Sequence, residues 1–298
     1  MENLAGVEAP VLTICENDTP ALSGDDRETA NRASVERVLL RVREHATRTF
    51  SLGEMASIAL MSPYHFNRVF RGVTGLPPRV FQSMLRLEGA KRLLASTDMS
   101  IVDVCFEAGY SSVGTFTRRF TEMVGLPPNR FRRLARASRM GRGEAARPTP
   151  PACAGPGCSI AGELEAPAAF AGQLFVAAFP GPIPCGRPAG CEILEAPAGR
   201  FRIGGLRAGT YYIAALGIAR GTPGADAVLH EAALRDRCGP LSVRGDVALR
   251  SPLRLRPANV TDVPILLPIG ILEAGGAADA NRMALFMRPS ERQAIVAG

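Results

Sequence analysis

The 298-residue sequence has no tryptophan, four tyrosines and three histidines, and Lys91 is its single lysine. The shortage of Trp and Tyr weighs against a surface that stacks on sugar rings, because such stacking needs exposed aromatic faces. The histidines (His45, His65, His230) stand far in sequence from the cysteines, which leaves no zinc-binding pattern. Seven cysteines is an odd number, and they are scattered, which does not fit a disulfide framework. Cys153 with Cys158 and Cys185 with Cys191 are close pairs, yet neither has the two-residue spacing that favours metal chelation. The sequence also lacks a nucleophile elbow, a phosphate loop and a histidine–carboxylate cluster. His230 beside Glu231 reads as surface, and Asp262 as a turn former. The expectation is a protein that is not an enzyme, with no catalytic residues, metal or cofactor. Long apolar runs are missing too: the longest, Val263 to Leu272, contains two prolines and is too short to span a bilayer. The first residues are acidic, with no basic start followed by an apolar stretch, so no secretory signal is expected. A soluble, cytoplasmic chain without a membrane partner follows as the expectation.

What is present begins with positive charge. Thirty-five Lys+Arg against 28 Asp+Glu give +7, with a pI near 9.4. The excess is uneven. Residues 1–29 hold 1 basic and 7 acidic side chains, residues 30–140 hold 18 and 8, and residues 141–298 hold 16 and 13. Basic charge concentrated in one segment suits a polyanion, because neutralising phosphates releases condensed counterions. A solvated basic helical surface is the alternative reading of the same charge.

The chain divides into four stretches. Residues 1–30 are acidic and without helical or strand period, which predicts a disordered N-terminus. Residues 31–136 read as successive helices. Residues 137–159 are rich in Ala, Gly, Pro and Arg and read as a linker. Residues 160–298 show short alternating segments divided by Gly and Pro, the pattern of an all-β domain.

The helical stretch repeats itself. Leu52, Met55, Ala56 and Ala59 form the apolar stripe of a short helix, and Ile101, Val104, Cys105 and Ala108 repeat that spacing 49 residues later. Ser62 precedes Pro63, and Ser112 follows Gly109-Tyr110-Ser111, each serine placed to cap a second helix. Phe66, Arg68, Phe70 and Val73 match Phe116, Arg118, Phe120 and Met123 at an offset of 50. The four phenylalanines hold helical spacing with other apolar residues and so read as core. Both helices end at glycine followed by Leu-Pro-Pro, at Gly75–Pro78 and Gly125–Pro128. A longer helix from about Arg79 to Leu94 lies between the copies, with Phe81, Met84, Leu87, Ala90 and Leu94 along one side. At about 1.5 Å per residue it spans roughly 23 Å, a length suited to holding two reading helices about one DNA turn apart, roughly 34 Å. Two short helices joined by a tight turn, present twice, are tandem helix-turn-helix units.

Over about residues 34–136 the chain resembles the DNA-binding domain of the AraC/XylS transcription regulators. The resemblance rests on Ile101-Val-Asp-Val-Cys-Phe-Glu-Ala-Gly-Tyr-Ser-Ser, on Phe116-Thr-Arg-Arg-Phe and on Gly125-Leu-Pro-Pro-Asn-Arg-Phe131, with Leu52 to Pro78 fitting the same pattern. It implies an all-α domain of about seven helices whose two recognition helices enter adjacent major grooves of double-stranded DNA. By position, Tyr64, Asn67 and Arg68, beside Pro63, are the base-contacting candidates of the first recognition helix. Their chemistry fits: Arg can take guanine O6 and N7, Asn can pair with adenine, and Tyr can meet a thymine methyl. Arg68 as a phosphate clamp is the competing reading. The second recognition helix is chemically poorer, with Val113, Gly114, Thr117 and Arg118; Thr117 and Arg118 are its base-contact candidates. Ser62, Ser112, Arg119, Arg130, Arg132 and Arg133 are candidates for the DNA backbone. Most members carry this domain at the C-terminus behind a sensor domain, whereas here a further domain follows it. RNA polymerase and a second copy of the chain are the other candidate partners, and a nucleoid-associated location is implied.

In the C-terminal stretch, Phe201 and Ile203 alternate with Arg before an Arg-Ala-Gly turn, and Tyr211, Ile213 and Ala215 alternate after it, a pattern that predicts a β-hairpin. Gln173–Phe179, Asp246–Leu249 and Val263–Leu267 are further candidate strands. The segment from Gly199 to Tyr211 is similar to the carboxypeptidase-regulatory or transthyretin-like β-sandwich, which implies a fold and no function. Two other roles stay open: a module localised on DNA whose β domain binds a ligand or partner, and a redox-responsive regulator using the scattered cysteines.

Overall fold

The computed structural model describes residues 24–45, 48–139, 157–186, 188–197, 199–222 and 233–266. Residues 1–23, most of the linker, Cys153, and His230 with Glu231 lie outside them, as does Leu267. Seven helices come first among the described residues: α1 (Gly24–Glu44), α2 (Leu52–Ala59), α3 (Pro63–Thr74), α4 (Pro78–Ser96), α5 (Ile101–Glu107), α6 (Val113–Val124) and α7 (Pro128–Arg139). The disorder expected through residue 30 is overturned for its last part, since α1 begins at Gly24. The start of α1 is exposed and needs no apolar stripe, and Asp25 and Asp26 occupy its first turn, where the helix dipole favours acid.

The repeat is visible in how the helices start and stop. Ser51 caps α2: its hydroxyl accepts from Glu54 N at 3.2 Å, and the Glu54 carboxylate accepts from Ser51 N at 2.8 Å. Ser100 and Asp103 build the same capping box on α5, at 3.1 and 3.3 Å. Both first helices end in a left-handed residue, Leu60 (φ 58°) in one unit and Gly109 (φ 73°) in the other. Around each, the same pair of bonds closes the end: Leu60 N to Ser57 O and Met61 N to Ala56 O, then Gly109 N to Phe106 O and Tyr110 N to Cys105 O. Ser62 and Ser112 cap α3 and α6, and Gly75 (φ 78°) and Gly125 (φ 87°) end them. Behind them Phe66, Phe70, Phe81, Phe116, Phe120 and Phe131 are fully buried, as the spacing requires.

Among the described residues eight strands follow: β1 (Cys158–Glu165), β2 (Gly172–Phe179), β3 (Gly190–Glu195), β4 (Arg200–Leu206), β5 (Gly209–Ala219), β6 (Leu234–Val243), β7 (Val247–Ala248) and β8 (Leu253–Arg254). One sheet has β1 between antiparallel β4 and parallel β7, with β8 further along the β7 edge of β1; the other runs β3-β2-β5-β6, all antiparallel. Ile160, Phe201 and Ile203 of the first sheet share a core with Leu174, Val176 and Ile213 of the second. The expected alternation is present, with Phe201, Ile203, Tyr211, Ile213 and Ala215 all buried.

The hairpin reading is corrected. β4 pairs with β1, and β5 with β2 and β6, so the turn at Arg207 carries the chain from one sheet to the facing one. Alternation fixes which side chains turn inward, and two strands on opposite walls of one core satisfy it as well as two neighbours do. The Tyr211 hydroxyl ties this turn by donating to Arg207 O at 2.9 Å.

Val263–Leu267 is likewise no strand in its described part. Val263 and Leu266 join the helical core, while Ile265 packs with Phe175, Phe179 and Leu216 on the outer face of the second sheet. A continuous apolar run here serves two neighbours at once, one per face. It is the seam between the halves of the molecule.

A left-handed conformation costs a residue with a Cβ about 1–2 kcal/mol, and Leu60 bears that cost while its side chain is 84% exposed. Leu60→Gly should therefore raise stability by about 1 kcal/mol despite the added freedom of glycine in the unfolded chain. Urea unfolding checks this, and a lower midpoint would mean that the leucine side chain contributes something its exposure hides.

Candidate nucleic-acid interface

Helices α3 and α6 each present their N-terminal part to solvent. In α3, Ser62, Pro63, Tyr64 and Arg68 are exposed and Asn67 is half-buried; Tyr64 is 83% exposed, an unusual position for a tyrosine with no packing role. Arg68 Nη2 lies 3.4 Å from His65 Nδ1 within the same helix, so its guanidinium keeps donors for other partners. The Ser62 hydroxyl accepts from His65 N and the Ser112 hydroxyl from Thr115 N, both at 3.4 Å. Each hydroxyl retains its own proton to donate. In α6, Gly114 and Arg118 are exposed, and Val113 and Thr117 are half-buried.

The arginines named for the DNA backbone are less uniform. Arg119 is exposed and 3.5 Å from the Glu122 carboxylate. Arg133 is exposed and Arg130 half-buried, both on α7. Arg132 is withdrawn: its Nε and Nη2 are buried, and desolvation, with Arg136 nearby, lowers its pKa. At an offset of 50 it occupies the place of Gln82, itself buried, whose amide donates to Phe50 O (3.2 Å) and accepts from Phe50 N (2.8 Å).

Two side chains that brace the starts of the helix-turn-helix units carry no sequence motif. Gln82 on α4 holds the backbone just before the α2 cap. Arg86, also on α4, donates from Nε to Ala108 O at 2.7 Å and from Nη2 to Gly109 O, with its guanidinium 4.4 Å from the centroid of the Tyr110 ring. It fastens the turn between α5 and α6. The only available signal was its place among apolar neighbours, between Leu85 and Leu87 on a helix meant to be buried on one side.

Residues 55–134 match the family model of a helix-turn-helix domain. This segment is a helix-turn-helix domain. The transcriptional regulator ExsA of Pseudomonas aeruginosa is 35% identical over 113 residues, which cover 38% of this chain and 40% of that protein. The MmsAB operon regulatory protein of the same organism is 32% identical over 95 residues, 32% of this chain and 31% of that one. The chain thus spans well under half the length of these relatives. Among solved structures, the DNA-binding domain of AdpA in complex with a target DNA is 30% identical, covers 36% of this chain and 96% of that one, and has a TM-score of 0.35. No helix among the described residues is long and apolar enough to cross a membrane.

The Arg86 clamp predicts a stability effect. Arg86→Met should cost about 2–3 kcal/mol, the loss of hydrogen bonds from a charged donor to two turn carbonyls. Arg79→Ala, an exposed change on the same helix, should stay within about 0.5 kcal/mol. Equal urea midpoints for the two variants would show that the turn holds without the guanidinium.

Proposed function

We propose that this chain is a sequence-specific DNA-binding transcription regulator of the AraC/XylS type, reading adjacent major grooves with α3 and α6. The observation that carries the reading is the pairing of two capped, abruptly ended helices whose exposed faces bear Tyr64, Asn67 and Arg68 in one copy and Thr117 and Arg118 in the other. Relatives named as a transcriptional regulator and as an operon regulatory protein support it. In this reading α3 supplies most base recognition, because Arg68 and Asn67 can make bidentate bonds to guanine and adenine. Val113 and Gly114 offer only close approach, so α6 anchors to the backbone with Arg118 as its main base contact. Ser62, Ser112, Arg119, Arg130 and Arg133 serve phosphates, and Arg132 serves the fold. The reading places the chain in the cytoplasm on the nucleoid, with RNA polymerase and a second copy of itself as the partners to test. The β domain we assign to the transthyretin-like sandwiches, on the pattern from Gly199 to Tyr211 and its two facing sheets.

The redox alternative finds less support. Burial pushes the Cys105, Cys185 and Cys238 thiols above their ordinary pKa, and the thiolate is the reactive form.

The test is selection of DNA by the purified full chain at physiological salt, repeated at higher salt. Two sequence blocks about one helical turn, roughly 34 Å, apart are expected. Salt-sensitive binding without sequence preference would sink the tandem readout. On the selected DNA, Arg68→Ala should lower specific affinity by about 1–3 kcal/mol and relax the choice at one base pair. Uniform weakening on every sequence would make Arg68 a phosphate contact instead.

A further inference from the structure

Among the described residues, three contacts of the β domain with the helical domain are set apart from one another, and two of them fall at the same end of the repeated helices. At the end of α3, Arg237 of β6 donates from Nη2 to Thr74 O at 2.8 Å, and its guanidinium lies beside Gly75, where an added Cβ would come within 3.3 Å. At the end of α6, Gly186 of the β2–β3 loop donates to Met123 O at 3.4 Å and lies against Gly125, and Ile183 of the same loop packs on the helical core. Between these two ends, on α4, the Lys91 ammonium donates to Ile265 O at 3.2 Å. Lys91 is 1% exposed, and its Nζ lies 5.9 Å from the Phe131 ring centroid. Val263 and Leu266 bury their side chains beside it in the helical core.

We propose that the β domain is a positioning clamp for DNA reading: by holding the C-terminal ends of both recognition helices and the middle of α4, it fixes the placement of α3 relative to α6. This rests on the reading of α3 and α6 as DNA-reading helices. The mechanics support it. The first unit (α1–α3) and the second (α5–α7) pack on α4, their main shared support. A 19-residue helix is about 28 Å long. Small bends or rolls of such a rod move the far ends of two attached units by ångströms, and a second body fastened at three separated points suppresses them. The chemistry also fits, because the last carbonyls of a helix lack intrahelical partners and carry its negative pole, so a guanidinium is a favourable cap. The clamp grips helix ends about 18 Å from the N-terminal residues that read DNA, at about 1.5 Å per residue over twelve residues. It leaves the reading face open.

The test uses the full chain and the two-block DNA that it selects, together with derivatives carrying one base pair inserted between the blocks. One insertion shifts the second block by about 3.4 Å and roughly a tenth of a turn. The wild-type chain is expected to lose about tenfold or more in affinity on the inserted DNA, because a fixed pair of helices cannot follow the shift. Arg237→Met is expected to keep affinity for a single block within about twofold while losing less than about threefold on the inserted DNA. Arg237→Lys, which keeps the cation and loses the planar fork, should fall between and replaces Arg237→Met if that variant melts abnormally. A variant that unfolds like the wild type and shows the same penalty for the insertion overturns the clamp. If the wild type selects no two-block DNA, the DNA-reading proposal fails by itself, and hydrogen exchange then decides the clamp. Exchange in the last turn of α3 (residues 71–76) must quicken in the Arg237 variant relative to that of α2, and unchanged exchange overturns the proposal.

Discussion

Phe66, Phe70 and Phe81 hold α3 from behind, as Phe116, Phe120 and Phe131 hold α6, and the direction in which each helix faces depends on them. The Phe66 and Phe70 rings lie 5.5 Å apart, and Phe70 meets Phe81 edge-on at 5.6 Å. Phe116, Phe120 and Phe131 repeat this arrangement at 5.6 Å for both contacts. Such ring pairs contribute about 0.5–1.5 kcal/mol beyond the area they bury. Their larger effect is rotational. At about 100° per residue, positions two before and two after Phe66 lie roughly 200° round the helix, so fixing that ring to the core sends Tyr64 and Arg68 to the opposite side. The third ring belongs to the next helix, α4 or α7, so the same contact that sets the rotation of α3 or α6 also sets the entry of the helix after it.

The capped turns act on this frame as stops. Serine caps fix where α3 and α6 begin, and left-handed glycines fix where they end, so the length and phase of both helices are set by backbone chemistry. That is why so much of the helical domain was legible in the sequence. Ser62, Ser112, Gly75, Gly125 and the phenylalanines act locally, through neighbours three or four residues away. The start of α1 was missed because its exposed first turns carry no apolar period. Arg86 and Gln82 were missed because their partners, the turn at Ala108-Gly109 and the backbone of Phe50, lie tens of residues away and are backbone atoms that no sequence pattern advertises.

The β domain was legible strand by strand and misleading in its pairing. Phe201, Ile203, Tyr211 and Ile213 point inward as their alternation requires, yet alternation carries no information about which strand lies alongside. The apolar run from Val263 reads as a strand because every residue wants burial; the cause is a seam with a helical core on one side and a sheet on the other. One signal of that seam was in the sequence. Lys91 sits between Ala90 and Leu94 on the buried side of α4, and a sole lysine placed there demands a partner from outside its helix.

Three polar contacts at the seam share a property that bears on how such a molecule can change. Arg237 bonds to Thr74 O, Gly186 to Met123 O and Lys91 to Ile265 O, so each acceptor is a main-chain carbonyl. Carbonyls at the end of a helix persist whatever side chains the helix carries. The residues of α3 and α6 that face outward can therefore vary without loosening these bonds, provided that Gly75 and Gly125 still end the helices and leave room beside them. The limit lies at Gly75, where a Cβ would both strain a left-handed backbone and press on the Arg237 guanidinium. Exposed side chains and held carbonyls thus lie at opposite ends of the same helix: the N-terminal end of α3 and of α6 is open to solvent, and the polar contacts at the C-terminal end are made by backbone acceptors.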